Sequence, residues 1–201
     1  MIDFDNTLFS IDVAGGMPAP GALLVAEPFL REQYFAHAVI CLIDYKPAAE
    51  AMGIVMNRTT AYTLQGLLSG ITAETEIPVF CGGPMSCDRL YFMHTLGNDI
   101  IPDSKEITQG LFIGGDFDSM TAYINSGYPT EGRMRFFIGY SGWSPHQLDD
   151  ELHNKVWAVT DIRSPQTLLQ GSEDAYWHKA VRRMGQRFKG WQYHPLNPHA
   201  N

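Results

Sequence analysis

The stretch 135–147, Arg-Phe-Phe-Ile-Gly-Tyr-Ser-Gly-Trp-Ser-Pro-His-Gln, contains the sharpest change of pattern in the chain. Its first part, Arg135–Tyr140, is a short run rich in apolar and aromatic residues, which predicts a strand. A helix start follows, because Ser144 can cap, Pro145 suits the first helical position and Gln147 can close a capping box. The stretch is therefore predicted to be a strand that runs directly into a helix.

Short apolar runs bounded by turn residues continue in both directions from this stretch. Further strands are predicted at residues 21–26, 37–43, 53–57, 77–81, 89–94, 111–113 and 156–159. Further helices are predicted around residues 64–68, from 116 to 127, after 164 and from 172 to 185. Because the strands and helices do not alternate regularly, the α+β class with a mixed sheet is favoured over a doubly wound fold.

One domain accounts for most of the chain. Residues 21–201 are predicted to form a single α+β domain, preceded by a polar extension over residues 1–20 with two glycines and two prolines near its end. A chain of 201 residues can bury roughly 70% of its unfolded surface. The fold is therefore expected to need no disulfide or metal for stability.

The charge balance argues against direct binding to nucleic acid or to an anionic membrane surface. Fourteen Lys plus Arg stand against 22 Asp plus Glu, a formal net charge of −8, and such a field repels phosphate groups. A basic cluster is nevertheless present near the C-terminus, which keeps direct DNA binding open as an alternative. Its members are Lys179, Arg182, Arg183, Arg187 and Lys189, and a solvated helix face is the favoured interpretation.

The cysteines and the hydropathy pattern indicate a cytoplasmic protein. Cys41, Cys81 and Cys87 are odd in number and form no Cys-x-x-Cys pair, which is typical of a reducing compartment. No run of about 18 apolar residues could span a bilayer, and the N-terminus does not have the pattern of a secretory signal.

No catalytic, metal or cofactor motif is complete. Gly139–Trp143 sits between a strand and a helix like a hydrolase nucleophile elbow, but Trp143 stands where that turn needs glycine. The seven histidines show no spacing typical of zinc ligands. We therefore predict no catalytic residues, no metal and no cofactor. An enzyme of unrecognised, hydrolase-like type that uses Ser141, Cys81 or His94 remains an alternative.

Five motifs occur together in the order typical of one family. They are residues 21–30 (Gly-Ala-Leu-Leu-Val-Ala-Glu-Pro-Phe-Leu), 53–58 (Gly-Ile-Val-Met-Asn-Arg), 81–84 (Cys-Gly-Gly-Pro), 139–143 (Gly-Tyr-Ser-Gly-Trp) and 147–152 (Gln-Leu-Asp-Asp-Glu-Leu). With Trp157 and the ending His194–Pro198, the chain from about residue 18 to 198 resembles the AlgH/YqgE-like family. Thr59 departs from the family, which usually has proline there, and Ser141 stands where the family commonly has alanine.

The resemblance implies a fold, a location and a functional label. It implies a compact α+β fold in which several short helices pack around a large mixed, partly barrel-like β-sheet, in the bacterial cytoplasm. The family consists of uncharacterised bacterial proteins without established catalytic residues, and its usual label is transcriptional regulator. Since the sequence has no helix-turn-helix and a strongly negative charge, an indirect regulatory role through a protein partner is favoured over DNA reading.

The candidate binding site gathers the turns at the predicted strand ends. It comprises Asn57, Arg58, Gly82, Gly83, Pro84, Tyr140, Gly142, Trp143 and Gln147. The glycines would let a partner approach the backbone, Trp143 would offer an aromatic anchor, and Arg58 and Gln147 could bind polar groups. The sequence therefore predicts a protein-binding module, although folding alone also demands such residues, and assigns no oligomeric state.

Overall fold

A mixed β-sheet forms the centre of the protein in the computed structural model, which describes residues 16–32 and 34–194. Ten strands lie within these ranges: β1 (Ala22–Ala26), β2 (Val39–Asp44), β3 (Ala51–Val55), β4 (Thr59–Thr63), β5 (Pro78–Cys81), β6 (Met85–His94), β7 (Lys105–Thr108), β8 (Leu111–Ile113), β9 (Met134–Trp143) and β10 (Trp157–Asp161). The main path runs β10-β1-β2-β3-β9-β6-β8-β7, and the sheet curls into a half barrel.

Short helices surround this sheet. They are α1 (Leu64–Leu67), α2 (Phe117–Asn125), α3 (Gln147–His153), α4 (Pro165–Leu168) and α5 (Glu173–Arg183), followed by a 3₁₀ helix (Gln186–Tyr193). The predicted fold class, a mixed and partly barrel-like sheet with packed helices, is confirmed. Most of the predicted N-terminal extension, residues 1–15, lies outside the described residues.

Strand β9 organises the sheet because three other strands pair with it. Along one edge it runs antiparallel to β6 over most of its length. Along the other edge, residues 136–138 pair with β5 in parallel and residues 141–143 pair with β3 antiparallel. Strand β4 then adds to β5. The strand predicted at 135–140 is therefore longer than expected and holds two branches of the sheet together.

Apolar side chains fill both sides of the sheet. On one side, α5 and the 3₁₀ helix cover β1 and β2 with Trp177 and Trp191, whose rings are stacked. Trp177 is fully buried, and its Nε1 donates a hydrogen bond to the carbonyl of Ala26, 2.9 Å away. On the other side, Trp143, Leu148 and other residues around α3 form a second cluster. Helix α5 is thus fixed to the sheet by its apolar face.

The start of α3 differs from the prediction. The helix begins at Gln147, and His146 occupies the cap position with φ 67°, without a side-chain hydrogen bond. The predicted reciprocal bond is nevertheless present, since the Ser144 backbone N–H donates to Gln147 Oε1. Ser144 itself is not the cap, because β9 continues as extended chain to Trp143 and leaves residues 144–146 for the turn. After α5, the 3₁₀ helix extends to Tyr193.

Candidate functional site

The two-glycine turn after β5 packs directly on the backbone of β9. A Cβ on Gly83, whose φ is +149°, would lie 2.3 Å from the carbonyl carbon of Tyr140, and a Cβ on Gly82 would lie 2.3 Å from the oxygen of Gly139. Only glycine permits this approach of two backbones. The structure thus brings three predicted site residues, Gly82, Gly83 and Tyr140, into contact.

A cavity of about 390 Å³ lies beside this contact, and we name it the methionine groove. Its lining residues are Asp44, Glu50, Ala51, Met52, Met85, Tyr140, Gly142, Trp143 and Ser144. Met85 follows the exposed Pro84 and is itself 48% exposed, while the carboxylates of Asp44 and Glu50 are also exposed. The groove combines apolar side chains with negative charge.

Trp143 separates the methionine groove from the protein core. Its ring is 5% exposed, and its Nε1 donates to Glu151 Oε2 at 2.8 Å. The same oxygen accepts Nε1 of Trp157 at 2.7 Å, and Glu151 Oε1 accepts from Gln147 Nε2. The two indoles and the carboxylate therefore form a structural unit, and the role of Trp143 as an aromatic anchor stays a prediction. A second cavity, of about 200 Å³, adjoins this unit beyond Gly142.

Asn57 and Arg58 point toward helix α5 instead of the methionine groove. Asn57 is fully buried, and its amide bonds the Val39 N–H and the carbonyls of His37 and Glu173, each at 3.0 Å. Arg58 donates to the carbonyl of Ala36 and lies 3.8 Å from the Glu173 carboxylate. These two predicted residues connect to the glycine turn only through the backbone, where Cys81 N–H donates to the Arg58 carbonyl.

The candidate catalytic groups are separated and individually satisfied. Ser141 is 1% exposed, and its hydroxyl donates to the Gly82 carbonyl. His94 is fully buried, its Nε2 contacts Ser104 Oγ and the Gly114 carbonyl, and burial lowers its pKa below the usual value. Within the described part of the chain, neither Ser141 nor His94 is hydrogen bonded to the other or to Cys81. The geometry gives no support to a nucleophile–base pair.

A cluster that the sequence analysis missed lies at the start of α5. The carboxylate of Asp174 stands between two imidazoles, 2.5 Å from His37 Nδ1 and 3.2 Å from His178 Nε2. One ligand atom from each of the three residues lies within 4.8 Å of the others. The Asp174-x-x-x-His178 spacing on a predicted helix was a usable signal, since residues four apart share a face. His37 could not be added from sequence, because the fold brings it from 137 residues away.

The basic residues of the C-terminal region lie on two elements, Lys179, Arg182 and Arg183 on α5 and Arg187 and Lys189 on the 3₁₀ helix. Arg182, Arg183 and Lys189 are exposed, while Lys179 and Arg183 line a narrow cavity together with Asp161. This arrangement is that of a solvated helix face. In the described ranges, no helix is both long enough and apolar enough to cross a membrane.

The fold and these sites define an α+β protein with a half-barrel sheet and glycine-dependent strand contacts. The chain belongs to the AlgH-like family, whose model matches residues 23–189. It is 37% identical to a UPF0301 protein of Parabacteroides distasonis over 201 residues, which is the full length of both chains. It is 32% identical to a UPF0301 protein of Bacteroides thetaiotaomicron over 200 residues, again across both whole chains.

Two solved structures share the fold. The crystal structure of protein DIP2367 from Corynebacterium diphtheriae matches with a TM-score of 0.67 at 20% identity, covering 88% of this chain and 93% of that one. The solution structure of the AlgH protein from Pseudomonas aeruginosa matches with a TM-score of 0.66 at 24% identity, covering 85% of this chain and 93% of that one. The predicted family resemblance is confirmed. At 20% and 24% sequence identity, the two solved structures show a shared fold and nothing further.

Proposed function

We propose that this chain is a protein-binding module and that its methionine groove receives a segment of the partner that carries apolar and positively charged side chains. The single observation behind the proposal is the groove itself, where Met52, the half-exposed Met85 and Tyr140 adjoin two exposed carboxylates. Methionine side chains adapt to differently shaped partners because they are flexible and polarizable.

Glycine gives the partner access to the backbone. Gly142 is exposed at the edge of the groove, and a Cβ there would lie 3.2 Å from the ring of Tyr140 and 3.8 Å from Met85. A side chain at this position would therefore occupy part of the space in which we place the partner. This requirement supports the inclusion of Gly142 and Tyr140 in the binding site, whereas Trp143 supports the groove from behind.

Charge favours a basic segment over nucleic acid. Glu50 adds locally to a net charge of −8, while the Asp44 carboxylate lies 3.9 Å from Lys105 Nζ. This excess of negative charge attracts cationic side chains and repels phosphate. Any effect of this protein on transcription would then be indirect and pass through the bound partner. Direct DNA binding through Arg182 and Arg183 and an enzymatic function through Ser141, Cys81 or His94 have no comparable support.

Site-specific photo-crosslinking in bacterial cells tests the proposal. A photoreactive phenylalanine derivative replaces Met85 in one variant and Tyr128, which is 59% exposed outside the groove, in a control variant. We expect the Met85 variant to yield a discrete protein adduct that survives nuclease and is absent from the Tyr128 variant. Identical adducts from both positions, or none from Met85, would contradict the proposal, and an adduct lost with nuclease would support DNA binding instead.

Charge reversal then tests the predicted chemistry of the partner. Glu50→Lys should weaken binding of the identified partner about tenfold, with weaker salt dependence, since it replaces a rim attraction by repulsion. Asp99→Lys makes the same charge change at an exposed position outside the groove and serves as the control. Equal effects of the two variants in a titration would show that only net charge matters.

A further inference from the structure

We propose that His37, Asp174 and His178 bind a divalent transition-metal ion, with Zn²⁺ as the best match. This site is separate from the proposed protein-binding groove and does not depend on it. Two imidazole nitrogens and one carboxylate form the ligand set of three-residue zinc sites, which leave a fourth position for water or another ligand. Imidazole ligands also suit the neighbouring metals Co²⁺, Ni²⁺ and Cu²⁺.

The distances agree with this ligand set. Ligand atoms around a tetrahedral zinc ion are about 3.3 Å apart, as follows from metal–ligand distances of about 2.0–2.1 Å. His178 Nε2 lies 3.2 Å from Asp174 Oδ2, and His37 Nδ1 lies 2.5 Å from the other carboxylate oxygen, Oδ1. One ligand atom from each of the three residues lies within 4.8 Å of the others, so side-chain movement is needed to place all three around one ion. A side-chain movement of about 1 Å would bring the closest pair to the separation that a tetrahedral ion requires.

The backbone holds the two halves of the site together. His37 precedes β2, Asp174 and His178 lie one turn apart on α5, and the buried amide of Asn57 donates to the carbonyls of His37 and Glu173. His37 and Glu173 both have φ +53°, a conformation that is unfavourable for non-glycine residues. Such strained residues cluster at functional sites, and here a single amide bonds both of them. Asn57 is therefore a positioning residue for the site.

One of the three proposed ligands is buried and the other two are partly exposed, which suits an ion that keeps one coordination position open to solvent. His37 is 1% exposed, and its ring stacks on Trp177 with a centroid distance of 3.8 Å. Asp174 and His178 are 36% and 27% exposed, so the ion can enter from solvent. The neighbouring Glu173 carboxylate is directed elsewhere, since its Oε1 accepts from the Thr59 N–H and its Oε2 lies 3.8 Å from Arg58 Nη1.

Metal titration of the untagged full-length chain, stripped with a chelator, tests the inference. Isothermal titration calorimetry with Zn²⁺ is expected to show one site per chain, and Co²⁺ is expected to give visible ligand-field absorption. His178→Ala and Asp174→Asn should each weaken Zn²⁺ binding by at least about 100-fold, more than is usual for loss of a residue outside the ligand shell. Both positions are partly exposed, so these variants are expected to fold, whereas His37 is part of the core.

His153→Ala is the matched control, because His153 is an exposed histidine on α3. It should keep the Zn²⁺ affinity and the Co²⁺ spectrum of the wild type. The inference is overturned if the wild type shows no stoichiometric uptake, if His178→Ala binds as tightly as the wild type, or if His153→Ala loses affinity to the same extent. Circular dichroism of each variant confirms that a loss of binding is not a loss of fold.

Discussion

Replacing Asn57 by alanine should lower the free energy of unfolding by about 3–5 kcal/mol. The amide is fully buried and makes three hydrogen bonds, with the Val39 N–H and with the carbonyls of His37 and Glu173. Alanine leaves all three backbone groups without this partner, and each buried group left unsatisfied costs roughly 1–3 kcal/mol. The bond to the Glu173 carbonyl is only partly buried, so water can enter there and limits the total loss to about 3–5 kcal/mol. A domain with about 5–15 kcal/mol of stability should remain folded.

Urea unfolding followed by tryptophan fluorescence measures this loss, and the dependence on urea should keep the same slope if only stability changes. Asn125→Ala is the matched control. The Asn125 amide also bonds one backbone N–H and one carbonyl, those of Thr72 and Gly70, but the residue is exposed. Water can replace both bonds there, so we expect a loss of at most about 1 kcal/mol. If Asn57→Ala is no less stable than Asn125→Ala, the reasoning that the buried Asn57 amide stabilises the fold through its three hydrogen bonds is refuted.

Three further changes test other parts of the structure. Gly83→Ala should lower the free energy of unfolding in urea by at least about 3 kcal/mol, because its Cβ would overlap the β9 backbone. Gly110→Ala, which has nothing within 4 Å of its Cβ, should lower it by only about 1 kcal/mol. Equal losses in the two variants would contradict the close contact of Gly83 with β9. Burial lowers the pKa of His94 from 6.5, so its neutral ring contributes stability that is full above about pH 6.5 and is lost as pH falls through the folded-state pKa. Unfolding free energies should therefore decline less below pH 6.5 in His94→Gln than in wild type, and parallel profiles would exclude this role. Glu151→Ala should lower the free energy of unfolding by about 2–4 kcal/mol and shift the tryptophan fluorescence, since two indole N–H groups lose their acceptor. Glu151→Gln should lose less stability. If neither variant shifts the fluorescence, the two indoles do not share this carboxylate.

The fold class was predictable because most of the strands are apolar runs, whereas two strands at the edges of the sheet are not. Strands β4, Thr-Thr-Ala-Tyr-Thr, and β7, Lys-Glu-Ile-Thr, were not predicted. Each pairs with only one neighbour, and β4 has no fully buried residue. Such strands form because a paired neighbour offers hydrogen bonds, so hydrophobic periodicity carries little information about them. The strands that pair with β9 could not be predicted from the sequence pattern either, because strand pairing depends on how the whole chain folds.

The candidate site divides in the same way into local and long-range features. The glycine turn at 82–83 was predictable, since the need for glycine shows directly in the sequence. The burial of Trp143 was not, because it depends on α3 and β10 packing around the ring. Asn57 was predicted as a binding-site residue, and its contacts with His37 and Glu173, which reach distant segments, could not be predicted from the sequence. Sequence patterns therefore indicated which residues are unusual more reliably than what each one does.

The pairing of β1 with β10 has a consequence for synthesis of the chain. The two strands align from Ala22 opposite Asp161 to Ala26 opposite Trp157, although about 140 residues separate them. Every residue of β1 is buried in the finished sheet. At about 5–20 residues per second, β1 leaves the ribosome on the order of ten seconds before its partner is made. Strand β2 is made soon after β1 and pairs with one of its edges, but the other edge lacks its neighbour throughout that interval. A transcript truncated before residue 157 should therefore yield an aggregating product and a substrate for chaperones.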